Sequence, residues 1–361
     1  MALNRWLGAL SAALLFCTAS LAAADPAVEE NAHEGRRPWM VGALLLHPIA
    51  AEVFKHIRAA APAVPEPKIE SNGAVKDFDA FCSGPDAGTP SIFASTRRMG
   101  GQEFEHCTKN GVALVEIQIG LEALVLVTRR EDEELDLSIV DFYRAIAAEL
   151  PFGDDFLPNT MQTWKDVNPK LPPRGIHVIV PGSNTAARAF VNNRFLQGAC
   201  REIAEYKNIF SADERVAQCI GLRKDGIVTE VPNPYTVEAV LKALDKEPHG
   251  AIAIVALRYA TQAAERVKPL PLEGIKPNRE TVSHLTYPAV RRLYFYVKRQ
   301  HVKDYTGKGP VLGLREFISE ATRETAIGDG GYLVPLGVVP MTPERRAEVR
   351  DGALRLTPLD R

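Results

Sequence analysis

The sequence predicts an α/β protein made of two units that the chain crosses twice, with a cleft between them. Strand-like and helix-like segments alternate in the first third of the chain, and a second alternating set begins after the charged stretch "TRREDEELD". This alternation favours a central sheet with crossover helices. The late segments "YPAVRRLYFYVKR" and "LREFISEATRETAI" then return the chain to the first unit. A cleft between two lobes is a common place for a small-molecule site.

In the first unit, each element follows from its pattern of apolar residues. "WMVGALLL" predicts a strand, and the amphipathic segment Pro48–Ala60 predicts a helix. "PKIES" and "PSIFAST" predict two further strands, each followed by a helix, over Lys76–Phe81 and around Gln102–Lys109. "ALVEIQIG" and "LEALVLVTR" read as two consecutive strands that lead towards the second unit.

In the second unit, "LSIVDFYRAIAAEL" has apolar residues at helical spacing, and "GIHVIVPG" and "GAIAIVALRYA" predict strands. Further helices are predicted over Thr185–Leu196 and in "TVEAVLKALDKE". We expect the crossings near Thr128–Asp132 and Tyr259–Lys268. The first lobe would then contain residues 25–128 and 268–361, and the second lobe residues 129–267.

The first 24 residues have the features of a signal peptide. Arg5 supplies a positive charge, an apolar stretch follows, and Ala22-Ala23-Ala24 offers a small-residue cleavage site before Asp25. A lipoprotein anchored at Cys17 is disfavoured by the bulky Phe16 before it. We therefore expect an exported, soluble protein of the periplasm, cleaved near Ala24. No basic tract indicates nucleic-acid binding.

Four cysteines remain after that cleavage: Cys82, Cys107, Cys200 and Cys219. An even number in an oxidising compartment favours two disulfides, although the sequence alone allows three connectivities. The cost of loop closure favours the sequence neighbours, which would pair Cys82 with Cys107 and Cys200 with Cys219. Four free buried thiols are the alternative, and the spacings fit no metal site.

No catalytic constellation stands out in the sequence. It contains no GxSxG, HExxH or Walker motif, and no GxGxxG after a strand, so we expect neither an enzyme nor a bound cofactor or metal. His47 follows Leu44–Leu46, which we call the leucine loop, and is more typical of a residue at the start of a helix than of a catalytic base. Glu122 differs because it interrupts an apolar strand, "IGLEALVLV", and must face the cleft, water or a partner.

Several ordered segments resemble the periplasmic phosphate-binding proteins of ABC importers, in the form common in Gram-negative bacteria. They are "ESNGAVKDFDAFCSG", "PSIFASTRRM", "EFEHCTKNGV", "TWKDVNPKLP", "LQGAC…VAQCIGLRKDG", "YPAVRRLYFYVKRQHV" and "GGYLVPLGVVPM". The resemblance covers nearly the whole chain after the signal peptide. It implies the two-lobed periplasmic-binding-protein fold (type II) and the two local disulfides. It also implies a monomeric carrier that delivers a small molecule to an inner-membrane transporter or a downstream carrier.

The residues that would meet the ligand depart from that family. Its first loop, Gly-Ser-Ser-Thr-Val-x-Pro, is replaced here by apolar side chains at Leu44, Leu45 and Leu46, and its Tyr-Asp pair is replaced by Leu121 and Glu122. Losing about half a dozen polar partners, at about 1.5–3 kcal/mol for each hydrogen bond to a charged group, argues against tight phosphate binding. The sequence therefore predicts a largely apolar ligand, lipid-like or sterol-like, with Asn72, Glu122, Asn184 and Thr185 holding a hydroxyl or amide.

The sequence allows two other functions. In the first, the protein binds phosphate or another oxyanion through loop amides and the polar residues Ser95, Thr96, Arg97, Ser183, Thr185 and Arg188. The second reuses the fold as an assembly subunit with no small ligand, in which side chains would fill the cleft.

Overall fold

The computed structural model describes residues 36–153, 155–183, 185–209, 211–232, 236–303 and 310–360, so the predicted signal peptide lies outside the described residues. The strands are β1 Trp39–Gly42, β2 Lys68–Glu70, β3 Ile92–Ser95, β4 Leu114–Arg129, β5 Glu149–Phe152, β6 Asp155–Pro158, β7 Val178–Pro181, β8 Val228–Val231, β9 Ile252–Ala256, β10 Val267–Pro269 and β11 Val290–Lys298. The helices are α1 His47–Ala60, α2 Ala74–Phe81, α3 Gly101–Lys109, α4 Ile139–Ile146, α5 Trp164–Val167, α6 Ala186–Val191, α7 Gln197–Glu202, α8 Ala212–Ile220, α9 Val237–Leu244, α10 Leu257–Gln262, α11 Arg279–Ser283, α12 Arg299–Val302, α13 Leu314–Ala321, α14 Glu324–Ile327 and α15 Pro343–Leu354.

Strand β4 connects the two halves of one mixed sheet. The order along the sheet is β2-β1-β3-β11-β4-β9-β7-β8, with β10 also paired to β4. Strands β2, β1 and β3 are parallel to one another, and so are β9, β7 and β8. The carboxyl ends of parallel strands meet at one edge of a sheet, where ligands of α/β proteins bind. Each half therefore presents its own set of strand-to-helix loops.

The partner of β4 changes between Ala123 and Leu124. Residues up to Ala123 pair with β11, and residues from Leu124 pair with β9. The prediction of two consecutive strands here was wrong, because one strand of 16 residues runs through both halves. Its apolar residues are covered on both faces, so no polar turn is needed between the two halves. We call this point the junction; the lobe boundaries at 128/129 and 267/268 stay a prediction.

Two other elements end earlier than the sequence predicts. The segment "GAIAIVALRYA" leaves the sheet after Ala256, and α10 begins at Leu257, so only its first half is a strand. The predicted helix Thr185–Leu196 is α-helical only over Ala186–Val191 and continues as a π-helix over Asn192–Leu196. In both segments the apolar pattern is compatible with more than one backbone form, and packing decides between them.

Both predicted disulfides are confirmed. Cys82 is bonded to Cys107, with Cα atoms 4.6 Å apart, and Cys200 to Cys219, with Cα atoms 6.1 Å apart. The first joins the end of α2 to α3, and the second joins α7 to α8. Among the described residues, no helix combines the length and the apolar character that a membrane crossing requires.

Candidate functional site

Three loops follow the parallel strands β2, β1 and β3, and they bring most of the predicted first-lobe residues together. Gly42 ends β1 with φ of 116°, and a Cβ added there would lie 2.3 Å from the carbonyl oxygen of Ala94 on β3. Only glycine allows this approach. The loop 43–46 is therefore held directly beside the end of β3, with the residues after β2 on its other side.

The three leucines of this loop have different surroundings. Leu44 is 63% exposed, Leu45 is half-buried against the core, and Leu46 is fully buried within it. Leu121 is also buried, and its backbone pairs with Val339. Of these four predicted apolar contacts, Leu44 is thus the most accessible to a ligand.

A carboxylate of the protein itself occupies the donors near Asn72. The buried side chain of Asp77 accepts hydrogen bonds from the Ser71 hydroxyl and the Asn72 backbone N–H, both at 2.9 Å. The Asn72 side-chain amide donates to the same carboxylate at 3.4 Å. An incoming anion would have to compete with this internal one, so Asn72 is a weak candidate for a ligand contact.

The predicted oxyanion residues after β3 also have partners within the protein. The Ser95 hydroxyl donates to the carbonyl oxygen of Arg97 at 2.7 Å. The exposed guanidinium of Arg97 is bonded to Glu103 at 2.7 Å, and this hydrogen bond raises the pKa of Arg97. Thr96 is half-buried, and Arg98 pairs with Glu116. These residues lie together, but their charges are balanced locally.

At the junction, Glu122 forms a buried ion pair with Arg291 of β11. The two residues are only 3% and 7% exposed. One guanidinium nitrogen of Arg291, Nη1, is buried and has no hydrogen-bond partner among the described residues. The ring of Phe190, from α6 in the other half, lies 5.5 Å from the Arg291 guanidinium carbon. Sequence reasoning missed Arg291; an arginine in the otherwise apolar segment "YPAVRRLYFY" was the available signal.

The predicted second-lobe residues follow β7 and have different surroundings. Ser183 is exposed, and Asn184 lies outside the described residues. The Thr185 hydroxyl caps α6, accepting from the Arg188 backbone N–H at 3.0 Å and donating to the Gly182 carbonyl oxygen at 2.9 Å. Arg188 is buried against Glu230 of β8, and none of the residues that line the pocket around it belongs to the loops after β1 and β3.

His47 and the cluster of Glu131, Asp132 and His249 hold further titratable side chains. Burial lowers the pKa of His47, although a hydrogen bond to the Gly42 backbone and the charge of Asp77 oppose the shift. Its Nε2 atom is buried without a hydrogen-bond partner in the described part of the chain.

The oxygen and nitrogen ligand atoms of Glu131, Asp132 and His249 lie within 4.8 Å of one another. Burial acts to raise the pKa of Asp132, but hydrogen bonds from His249, Gly250 and Thr128 outweigh it, so its oxygens already have donors.

The same two-lobed fold occurs in solved phosphate-binding proteins. A possible phosphate-binding protein from Planctomyces limnophilus superposes with a TM-score of 0.62, at 14% identity, covering 89% of this chain and 98% of that one. PstS from Borrelia burgdorferi superposes with a TM-score of 0.58, at 17% identity, covering 85% and 99%. These likenesses confirm the predicted α/β two-lobed fold.

The chain belongs to the PBP superfamily, because a family model described as a PBP superfamily domain matches residues 41–325. Protein SphX from Synechocystis is 24% identical over 258 residues, and SphX from Synechococcus elongatus is 21% identical over 238 residues. The matches cover 69% and 64% of this chain, but only 63% and 59% of the relatives' own lengths. The resemblance to phosphate-binding proteins that the sequence motifs indicated is confirmed.

Proposed function

We propose that this protein is the periplasmic solute-binding component of an ABC importer and that its solute is phosphate or another small oxyanion. The proposal rests on Arg291, a buried cation at the junction whose Nη1 atom has no hydrogen-bond partner in the described part of the chain. A buried N–H without an acceptor is costly, and an oxyanion bound at this point would supply one. A small oxyanion thus takes the place of the largely apolar solute that the sequence analysis predicted from the leucine loop.

The position of Arg291 suits a solute that holds two lobes together. Arg291 pairs with Glu122, the residue directly before Ala123, which is the last residue of β4 that pairs with β11. The ring of Phe190 from α6 lies over the Arg291 guanidinium. A ligand at this point would touch both halves and stabilise a closed form. The first turn of α1 adds little to such a site, because the His47 N–H already donates to the Leu44 carbonyl oxygen and Pro48 has no N–H.

Glu122 sets the expected affinity, because it competes with the solute for the same guanidinium. Isothermal titration calorimetry with inorganic phosphate and with sulfate tests this arrangement. Wild-type protein should bind at least one of them, and Glu122→Gln should bind it more tightly. The paired variant Glu122→Gln/Arg291→Gln removes both charges together and should weaken binding by about tenfold or more.

The matched control is Arg97→Gln, which removes an exposed arginine that already pairs with Glu103. It should change the affinity for the anion by less than about threefold. Loss of binding in Arg97→Gln but not in the paired variant would move the site to the loop after β3. Absence of phosphate and sulfate binding in the wild type would reject these two solutes.

A largely apolar solute is the second candidate, favoured by two exposed side chains. Leu44 is 63% exposed at the end of the β1 loop, and Val75 is 74% exposed in the first turn of α2. Native mass spectrometry of the protein mixed with a bacterial lipid extract tests this function. Retained lipid that is lost in Leu44→Ser/Val75→Ser would support it, whereas no retained lipid would count against it.

A further inference from the structure

A separate pocket of about 400 Å³ lies in the second half of the molecule, against the edge strand β8. Three apolar side chains, those of Ile220, Leu222 and Val228, form part of its wall. The charged side chains of Arg188, Lys224 and Glu230 form another part. A volume of this size is at the lower end for small-molecule pockets.

Arg188 is the buried cation of this pocket, and it is only 5% exposed. Its Nη2 atom lies 2.7 Å from Oε1 of Glu230, whose side chain is 46% exposed. Its Nε atom is buried and has no acceptor among the described residues. An ion pair that merely anchors α6 to β8 leaves the Nε–H of Arg188 unused, and Nη2, although it is close to Glu230, also makes no hydrogen bond within the described residues, at a cost in desolvation.

The charge around the pocket favours an anion. Arg223 is fully engaged, since its Nε donates to Asp225 at 3.0 Å and its Nη1 to the carbonyl oxygen of Met161 at 2.6 Å. Lys224 is exposed and forms no ion pair with any residue in the described ranges. Glu230 balances Arg188, so the charge of Lys224 remains uncompensated.

We propose that this pocket is a second ligand site, which takes a small carboxylate with a short hydrocarbon chain. The carboxylate accepts from Nε–H of Arg188, with Lys224 supplying the balancing charge at the rim. A planar guanidinium suits a carboxylate because its N–H groups match the two oxygens in geometry. The hydrocarbon chain packs against Ile220, Leu222 and Val228. This site is independent of the proposed oxyanion at the junction, because it uses neither Arg291 nor the loop after β1.

The experiment is a methyl-detected NMR titration of the whole protein with hexanoate. Hexanoate should shift the methyl signals of Ile220, Leu222 and Val228 in a saturable way. Hexanol lacks the charge, and inorganic phosphate lacks the hydrocarbon chain. Titrations followed by the same methyl signals should show that each binds at least about tenfold more weakly than hexanoate. Arg188→Gln should weaken hexanoate binding by about tenfold or more, because it removes the buried charge-assisted donor.

Lys224→Gln keeps the test decisive if Arg188→Gln does not fold, because Lys224 is exposed. It should weaken hexanoate binding by about threefold or more, and added salt should reduce the difference. The matched control is Glu122→Gln/Arg291→Gln, which should leave hexanoate binding unchanged. The proposal is overturned if hexanoate leaves the three methyl signals unshifted, if hexanol binds equally well, or if Lys224→Gln binds like the wild type.

Discussion

Two arginine–glutamate pairs in this protein have the same chemistry and opposite surroundings. The side chains of Glu122 and Arg291 are 4% and 6% exposed, whereas those of Glu103 and Arg97 are 28% and 65% exposed. The buried pair joins two strands across 169 residues of sequence, and the exposed pair lies within six residues. Water screens the exposed pair and can replace it, while the buried one depends on its partner. Burial, rather than residue type, therefore makes an arginine informative about a site.

The largest expected effect comes from breaking the buried pair. Glu122→Ala leaves the Arg291 guanidinium buried without a counter-charge, so the free energy of unfolding should fall by about 3–5 kcal/mol. Urea denaturation followed by circular dichroism measures the change. Glu122→Ala/Arg291→Met should recover most of the loss, because it removes the stranded charge as well. A loss below about 1 kcal/mol in the single variant would mean that water reaches Arg291.

The next largest effect is expected from the buried His301, whose titration should make the free energy of unfolding depend on pH. Burial lowers the pKa of His301 to about 4, and the nearby Lys298 charge adds to the shift. The unfolded chain takes up a proton near pH 6.5 and the folded one only near pH 4, so stability should fall as the pH drops through this window, by about 3 kcal/mol. The pKa of Lys298 is itself lowered to about 7, so below pH 6.5 this lysine is protonated in both states and adds little to the slope.

Urea denaturation at several pH values between 4 and 6.5 tests this dependence. His301→Gln should remove the part of the slope that belongs to His301, while acidic residues keep their own contribution. If wild type and variant lose stability in parallel, His301 is not the group that titrates.

The smallest effect is expected at the exposed pair. Arg97→Gln should lower the free energy of unfolding by about 1 kcal/mol or less, and 1 M salt should reduce the difference further. Equal losses in Arg97→Gln and in Glu122→Ala would remove the distinction between the two pairs.

Much of the fold, but less of the candidate site, could be predicted from the sequence. The helix after the leucines was predicted correctly, because Pro48 followed by an amphipathic segment is a local pattern. The strand predicted through all of "WMVGALLL" was wrong at its end, because β1 stops at Gly42 and Leu44–Leu46 form a 3₁₀ turn. The different burial of Leu44 and Leu46 was not predictable, because it depends on which side of the turn faces the core. Asp77 was missed for a similar reason: its role depends on the turn that brings it beside Ser71 and Asn72.

The alternation of strands and helices, the favoured cysteine pairs and the family could all be predicted from the sequence, and the structure confirms both pairs. Each of these depends on periodicity, on short loop closure or on ordered motifs, which are local properties. Only the tertiary structure decided which charges meet. Arg291 reaches Glu122 through the register of β11 on β4, and Arg188 reaches Glu230 because α6 packs on β7, the neighbour of β8 in the sheet. Such pairings depend on distant segments and on exclusion of water, so a linear pattern of residue types does not reveal them.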